Sequence, residues 1–175
     1  MIFPTNFLWG ASTSAFQVEG GYNEGGKGVA TTDLGARRPG IADNKVAADH
    51  YHHWKEDVDL MAELGLKVYR MGFSWSRIMP DASGQSNPEG LAFYDKLIDY
   101  LLEKGIEPLV TLYHFECPQA LVDAFGGWLD RKMIDAYLKY ATEVGEISLR
   151  CEPGVLTMYA VREKENPCRI TILET

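Results

Sequence analysis

Three polar side chains stand within or at the ends of apolar runs and are the first candidates for chemistry. Gln17 closes FLWGASTSAFQ, Arg70 lies inside KVYRMGF, and His114 comes near the end of PLVTLYHF. Amide, guanidinium and imidazole groups bond hydroxyls, and aromatic faces stack on the apolar side of a pyranose. Trp9, Phe16, Trp75 and Phe115 are close by in sequence. Together they favour a polar-aromatic pocket of the kind that holds a sugar. Any one of them alone would serve equally well as a satisfied core residue.

Two other motifs carry less. Gly21-x4-Gly26-Lys27 nearly spells a phosphate loop, yet position 28 is Gly where a magnesium-ligating Ser or Thr belongs, and no long apolar strand feeds it. A loose surface loop is expected there. His50, His52 and His53 cluster near Asp49, and the Asp49/His53 spacing of four residues suits one helix face. No second pair of ligands lies at a convincing distance, so no metal is expected, and packing and capping roles are assigned instead.

The elements that must position these residues follow one grammar. Residues 47–64 read as a helix with Tyr51, Trp54, Val58 and Met61 inward, closed by Gly65 before LKVYRMGF. Residues 88–104 repeat it: Asn87 as N-cap, Pro88 in the first turn, Tyr94, Leu97, Ile98 and Leu101 buried, and Gly105 before IEPLVTLYHF. A third helix opens at Asp130, turns Ile134, Tyr137, Leu138 and Ala141 inward, and is expected to stop at Gly145. Alternating strands and helices predict an α/β chain with a parallel sheet, whose strand carboxyl ends open on one side where ligands bind. Such a repeat builds either an open doubly wound sheet or a closed (β/α)8 (TIM) barrel. A barrel needs roughly 250 residues, so if that is the architecture, 175 residues hold about the first three units of a partial one.

The pattern breaks after Gly145. ISLRCEPGVLTMY is interrupted by Arg150, Glu152, Pro153 and Gly154, and AVREKENPCRITILET has a charged middle. Residues 1–146 therefore read as one portion and 147–175 as a divergent tail.

Composition removes several classes of function. Lysine and arginine number 17 against 25 acidic residues, a net charge of −8, which disfavours nucleic acid as a partner. The chain is 46% hydrophobic and 24% charged, which suits a globular protein. No apolar run reaches the ~18 residues of a membrane span, and no signal-peptide pattern opens the chain. Cys117, Cys151 and Cys168 are odd in number and lack CxxC spacing. A cytoplasmic location is expected.

Three runs together, FPTNFLWGASTSAFQVEGG, YRMGFSWSRIMP and TLYHFECPQAL followed by GGW, resemble the opening third of a glycoside hydrolase family 1 enzyme. The likeness runs from about Phe3 to about Glu146. It implies a (β/α)8 barrel that cleaves β-glycosidic bonds with retention, without cofactor or metal. It implies that Gln17 and His114 bond hydroxyls of the sugar, that Arg70 positions the nucleophile carboxylate, and that Trp75 and Trp128 pack. The HFE after TLY and the spelling DHYHHWKEDVDLMAELG resemble the 6-phospho-β-glucosidase branch, so the expected ligand is a β-glucoside or a 6-phospho-β-glucoside.

Retention needs two carboxyl groups about 5–5.5 Å apart, an acid/base and a nucleophile. By the resemblance, the first ends the fourth strand in Asn-Glu and the second ends the seventh. Neither motif is present: Glu165-Asn166-Pro167 has the letters in the wrong order. Glu19 and Glu116 stand beside the sugar ligands, but one displaced carboxylate cannot serve both faces of the anomeric carbon. The chain is expected to be catalytically inactive alone. It is then an interrupted glycosidase, a non-catalytic sugar-binding module, or a partial barrel completed by another chain. Open sheet edges would favour self-association.

Overall fold

The computed structural model describes residues 3–35, 39–151, 158–162 and 170–174. Its centre is a three-stranded parallel sheet in the order β1 (Gly10–Ser12), β2 (Val68–Gly72), β3 (Glu107–Thr111). Helix α2 (His50–Glu63) leads into β2, and α4 (Pro88–Glu103) leads into β3. This is the expected repeat of a barrel, left open: three strands in sequence order and no closure.

Gly65 (φ 79°) and Gly105 (φ 71°) take the left-handed turn between helix and strand that a Cβ would oppose. The second helix is also as read. Its buried stripe is Phe93, Tyr94, Leu97, Ile98 and Leu101, with Pro88 in the first turn. The Asn87 side chain accepts from the Glu89 amide at 3.3 Å and donates to the carbonyls of Gly25 (2.7 Å) and Arg77 (2.9 Å). Asn87→Ala should therefore cost more than an ordinary cap, about 2 kcal/mol, because two part-buried carbonyls lose a donor as well. A urea midpoint left where it was in N87A would contradict this.

The third helix departs from expectation. Helix α6 runs Lys132–Cys151, passes through Gly145 without a left-handed turn, and buries Met133, Tyr140, Ala141 and Val144 rather than Ile134 and Leu138. A glycine inside a helix costs ~1 kcal/mol relative to alanine. The buried residues reach Val144, the neighbour of that glycine, and their packing offsets the cost. Beyond α6, β4 (Met158–Arg162) and β5 (Ile170–Glu174) form a separate antiparallel pair, so the tail adds no fourth parallel strand to the described sheet. Residues 152–157 and 163–169, including Glu165-Asn166-Pro167 and Cys168, lie outside the described residues.

The two faces of the sheet differ. Tyr69 and Met71 of β2 are buried in a core with Val58, Leu97, Leu101 and Ile106. The register aligns Ser12, Arg70 and Leu109 on the opposite face. There Ser12 is exposed and Leu109 is 58% exposed. This is the face that a closed barrel would turn inward.

Candidate functional site

The carboxyl ends of β1 and β3 are tied together by two short segments. After β1 the chain turns through Ser14 into the four-residue helix α1 (Ala15–Val18), and the Gln17 amide donates to the Ser14 carbonyl at 2.9 Å. After β3 it passes through Tyr113 to His114, whose Nδ1 lies 3.0 Å from Ser14 Oγ in a hydrogen bond. The Phe16 ring meets the His114 ring edge-on at 6.4 Å, and the Phe115 ring lies 5.2 Å from it, tilted by 37°. Gln17 and His114 both follow the carboxyl ends of the outer two strands, and Ser14 bonds the backbone amide of the first and the ring of the second. Arg70 sits one level deeper, third of the five residues of β2. Among the described residues it has no ion-pair partner.

Only half of the expected aromatic wall is there. Phe16 and Phe115 flank His114, and Phe115 is 72% exposed. Trp9 precedes β1 and its carbonyl accepts from the Lys67 amide before β2, so it belongs to the amino-terminal end of the sheet, clustered with Phe3 and Phe7 at 4.6–4.8 Å. Trp75, in helix α3 (Trp75–Ile78), is fully buried and stacks on Tyr140 at 5.1 Å. It packs. Trp128 is 49% exposed and its indole N–H donates to Tyr113 Oη at 3.0 Å.

A buried charge cluster is centred on Arg77. Arg77 Nε donates to Glu19 Oε2 at 3.1 Å, and its other nitrogens donate to the carbonyls of Gly20, Gly21 and Glu24 at 3.3–3.4 Å. Burial works against the Arg77 charge, but Glu19 leads the groups that more than offset it, so its pKa is raised. Tyr94 Oη donates to Glu19 Oε1 at 2.5 Å and accepts from the Ser74 amide at 2.7 Å. Each oxygen of Glu19 thus holds a buried partner, Arg77 on one side and Tyr94 on the other.

Glu116 is 2% exposed, lines a cavity of about 10 Å3 with Glu19, Lys27, Asp33 and Ser74, and has no partner at Oε1. Burial first, and the Glu19 charge second, push its pKa up to about 8 against the pull of Ser74 and Lys27. Phe115 between His114 and Glu116 is a non-glycine residue at φ 70°. That strained backbone separates an accessible imidazole from a buried acid.

The glycine-rich stretch is a packed loop, not the loose one expected. Its carbonyls hold the Arg77 guanidinium, and Lys27 Nζ is committed to Asp33 at 2.8 Å with both side chains 7% exposed. Of the three histidines, His52 and His53 share Asp49 while His50 turns inward. His50 is buried against Asp57 at 2.6 Å, His52 bridges Asp49 (2.6 Å) and Glu24 (2.9 Å), and His53 reaches Glu56 at 3.3 Å. Among the described residues no His/Cys/Asp/Glu group is arranged to hold a metal ion. Cys117 is buried, free and raised to about 11 by that burial. A larger crevice of about 320 Å3 lies apart from these residues, between the loop after α3 and the helices α5 (Gln119–Phe125) and α6. No described helix is long and apolar enough to cross a membrane.

Residues 1–147 match the family model of Glycosyl hydrolase family 1. The chain belongs to glycosyl hydrolase family 1. It is 49% identical over 143 residues to Beta-glucosidase 25 of Oryza sativa subsp. japonica, covering 79% of this chain and 28% of that protein. It is also 49% identical over 142 residues to the Aryl-phospho-beta-D-glucosidase BglC of Bacillus subtilis, covering 79% of this chain and 30% of that one. The crystal structure of the rice Os3BGlu6 Beta-Glucosidase aligns with a TM-score of 0.77 at 44% identity, over 86% of this chain and 31% of that chain. This family 1 chain thus spans about 30% of the length of the relatives it matches. Its open sheet is a partial α/β version of the fold of its structural neighbours.

Sequence reading missed the role of Arg77. Its only signal was a charged residue inside the otherwise apolar and hydroxylic run GFSWSRIM.

Proposed function

We propose that this chain supplies the Gln17/His114 side of the glucoside site of a retaining β-glycosidase and does not hydrolyse glycosides by itself. The observation that carries this reading is the Ser14-linked pair of Gln17 and His114 at the carboxyl ends of β1 and β3, flanked by the exposed ring of Phe115. Arg70, without an acid partner among the described residues, is suited to hold a carboxylate that the rest of a barrel would bring. Of the two acids beside the sugar ligands, Glu19 is consumed by Arg77 and Tyr94, and Glu116 is buried. Neither can flank an anomeric carbon as retention requires.

The spelling HFE favours a 6-phospho-β-glucoside over the plain sugar. Relatives of both kinds match equally well, at 49% identity each, so the ligand must be separated by titration. Calorimetry on a β-glucoside and its 6-phosphate should register binding of at least one of the two. Aryl β-glucosides with and without the phosphate should give no turnover above the buffer rate. Sustained release of the aryl group by the purified chain would overturn the inactive reading, and absence of any sugar binding would overturn the site. Reading the DNA around codon 146 in three frames should reveal an apolar strand ending in Asn-Glu; its absence would point to a fusion instead.

A second reading has its own support, the uncovered sheet face. With Leu109 58% exposed and β1 and β3 each unpaired on one side among the described strands, the chain should associate with itself or with a barrel remainder. Uncovered apolar surface costs roughly 25 cal/mol per Å2. Sedimentation at low and high concentration is expected to register a rising mass. A strictly monomeric sample with a sharp two-state transition would rule this out.

A further inference from the structure

We propose that Ser14 is the positioning residue for the sugar-binding pair, donating its hydroxyl proton to His114 Nδ1 so that the ring offers an Nε2–H donor to a sugar oxygen. The inference rests on the glucoside reading above and adds to it the polarity of the His114 contact.

Ser14 occupies the N-cap of α1 with extended backbone (φ −120°, ψ 136°), the place where a serine hydroxyl ordinarily accepts from the second or third helical amide. Here it makes no such bond. The hydroxyl instead crosses from the end of β1 to the end of β3 and meets His114 Nδ1 at 3.0 Å, 100 residues away in sequence. The cap is surrendered for a tertiary contact. Meanwhile the Ser14 carbonyl takes the Gln17 amide at 2.9 Å, which sets the start of the turn carrying the second sugar ligand. One residue thereby fixes both.

The direction of the hydrogen bond follows from burial. Ser14 is 4% exposed, and His114 Nδ1 is the one partner of its hydroxyl among the described residues. A buried donor left unmade is the expensive arrangement, whereas an unused hydroxyl lone pair costs less. The proton therefore goes to Nδ1, which must be the bare, accepting nitrogen of a neutral imidazole. The other nitrogen then carries hydrogen. Phe16 edge-on at 6.4 Å and Phe115 at 5.2 Å flank the ring, and the Ser14 bond selects which of its two edges points back into the protein. Without it the imidazole can flip about its Cβ–Cγ bond and present carbon where nitrogen is needed.

The test is nitrogen-15 NMR of the imidazole together with calorimetric titration of a β-glucoside and its 6-phosphate. Both are done on the full chain in wild type, Ser14→Ala and Ser14→Thr. In wild type the Nδ1 resonance should be that of a bare nitrogen accepting a hydrogen bond, and Nε2 that of a protonated one. In S14A the Nδ1 resonance should move toward that of an unbonded ring nitrogen, and sugar affinity should fall about 5-fold, the scale of one net hydrogen bond. S14T, which keeps a hydroxyl, should restore both. Should S14A lower the urea midpoint, Ser14→Cys retains the size with only a weak donor and must reproduce the S14A spectrum. An Nδ1 signal that is protonated in wild type, or unmoved in S14A, overturns the proposal. So does unchanged affinity in S14A where wild type binds. If wild type binds no sugar, the glucoside reading fails and Ser14 is reduced to a tie between strand ends, a pattern distinct from an unmoved spectrum with sugar still bound.

Discussion

Arg77→Met should remove most of the chain's stability. The guanidinium is the hub of the buried cluster. It donates to Glu19, to three loop carbonyls between Gly20 and Glu24, and lies 4.1 Å from the centroid of the Tyr51 ring. A methionine fills some of the volume but abandons a carboxylate whose side chain is 7% exposed, together with the buried carbonyls of Gly20 and Gly21. Breaking a buried pair from one side costs about 3–5 kcal/mol, against a total margin of ~5–15 kcal/mol for an ordinary domain. A sheet with one uncovered face belongs at the low end of that margin. Urea unfolding followed by tryptophan fluorescence measures the loss, and the double variant with Glu19→Gln locates its source. If the uncompensated charge is the main cost, E19Q should recover a good part of what R77M loses, a coupling of more than about 1 kcal/mol. A loss below about 1 kcal/mol for R77M alone would mean that water reaches Glu19 and that the cluster is not a dry one.

That cluster also marks where sequence reading ran out. Helix α4 was legible to its ends because its signals are local: an Asn-Pro start, one apolar stripe and a closing glycine. The same kind of signal misplaced the end of α6, since Gly145 looks like a terminator and only the buried stripe through Val144, a tertiary fact, carries the helix on. Gln17, Arg70 and His114 could be named because strand ends in a parallel sheet face one way. Trp9 could not be placed, since one residue decides whether it precedes or follows the strand, and those two places are opposite ends of the sheet. Trp75 lies in a helix of four residues, too short for periodicity to show which side faces the core. Glu19 and Arg77 are 58 residues apart and share no pattern at all. What brings them together is the right-handed β1–α2–β2 crossover, which sets the turn after β1 beside the turn after β2. Pairings of this kind follow from the tertiary arrangement and are invisible before it.

The folded chain should lose stability as pH rises from about 5 to about 8, and Glu116→Gln should abolish most of that loss. Glu116 has an ordinary value of 4.5 and is raised to about 8 in the folded chain, chiefly by burial and next by the neighbouring Glu19 charge. The sign follows from proton counting. Between those two values the folded chain still holds the Glu116 proton while the unfolded chain has released it, so the folded state binds more protons and its stability falls with increasing pH. Below about 4.5 both states hold the proton, and above about 8 both have lost it, so the slope is confined to the window between. Within it the slope approaches ~1.4 kcal/mol per pH unit, so the whole descent is on the order of several kcal/mol. This runs opposite to a salt-bridged surface carboxylate, which stabilises more as pH rises. Glutamine matches the neutral acid in shape, keeps a carbonyl oxygen for Ser74 and cannot ionise, so E116Q should be close to wild type near pH 5 and clearly more stable at pH 8. Urea midpoints across this range in both proteins decide the matter. Parallel profiles would mean that the Glu116 carboxylate ionises in the folded chain without cost, with water in the small cavity bonding the oxygen that has no protein partner.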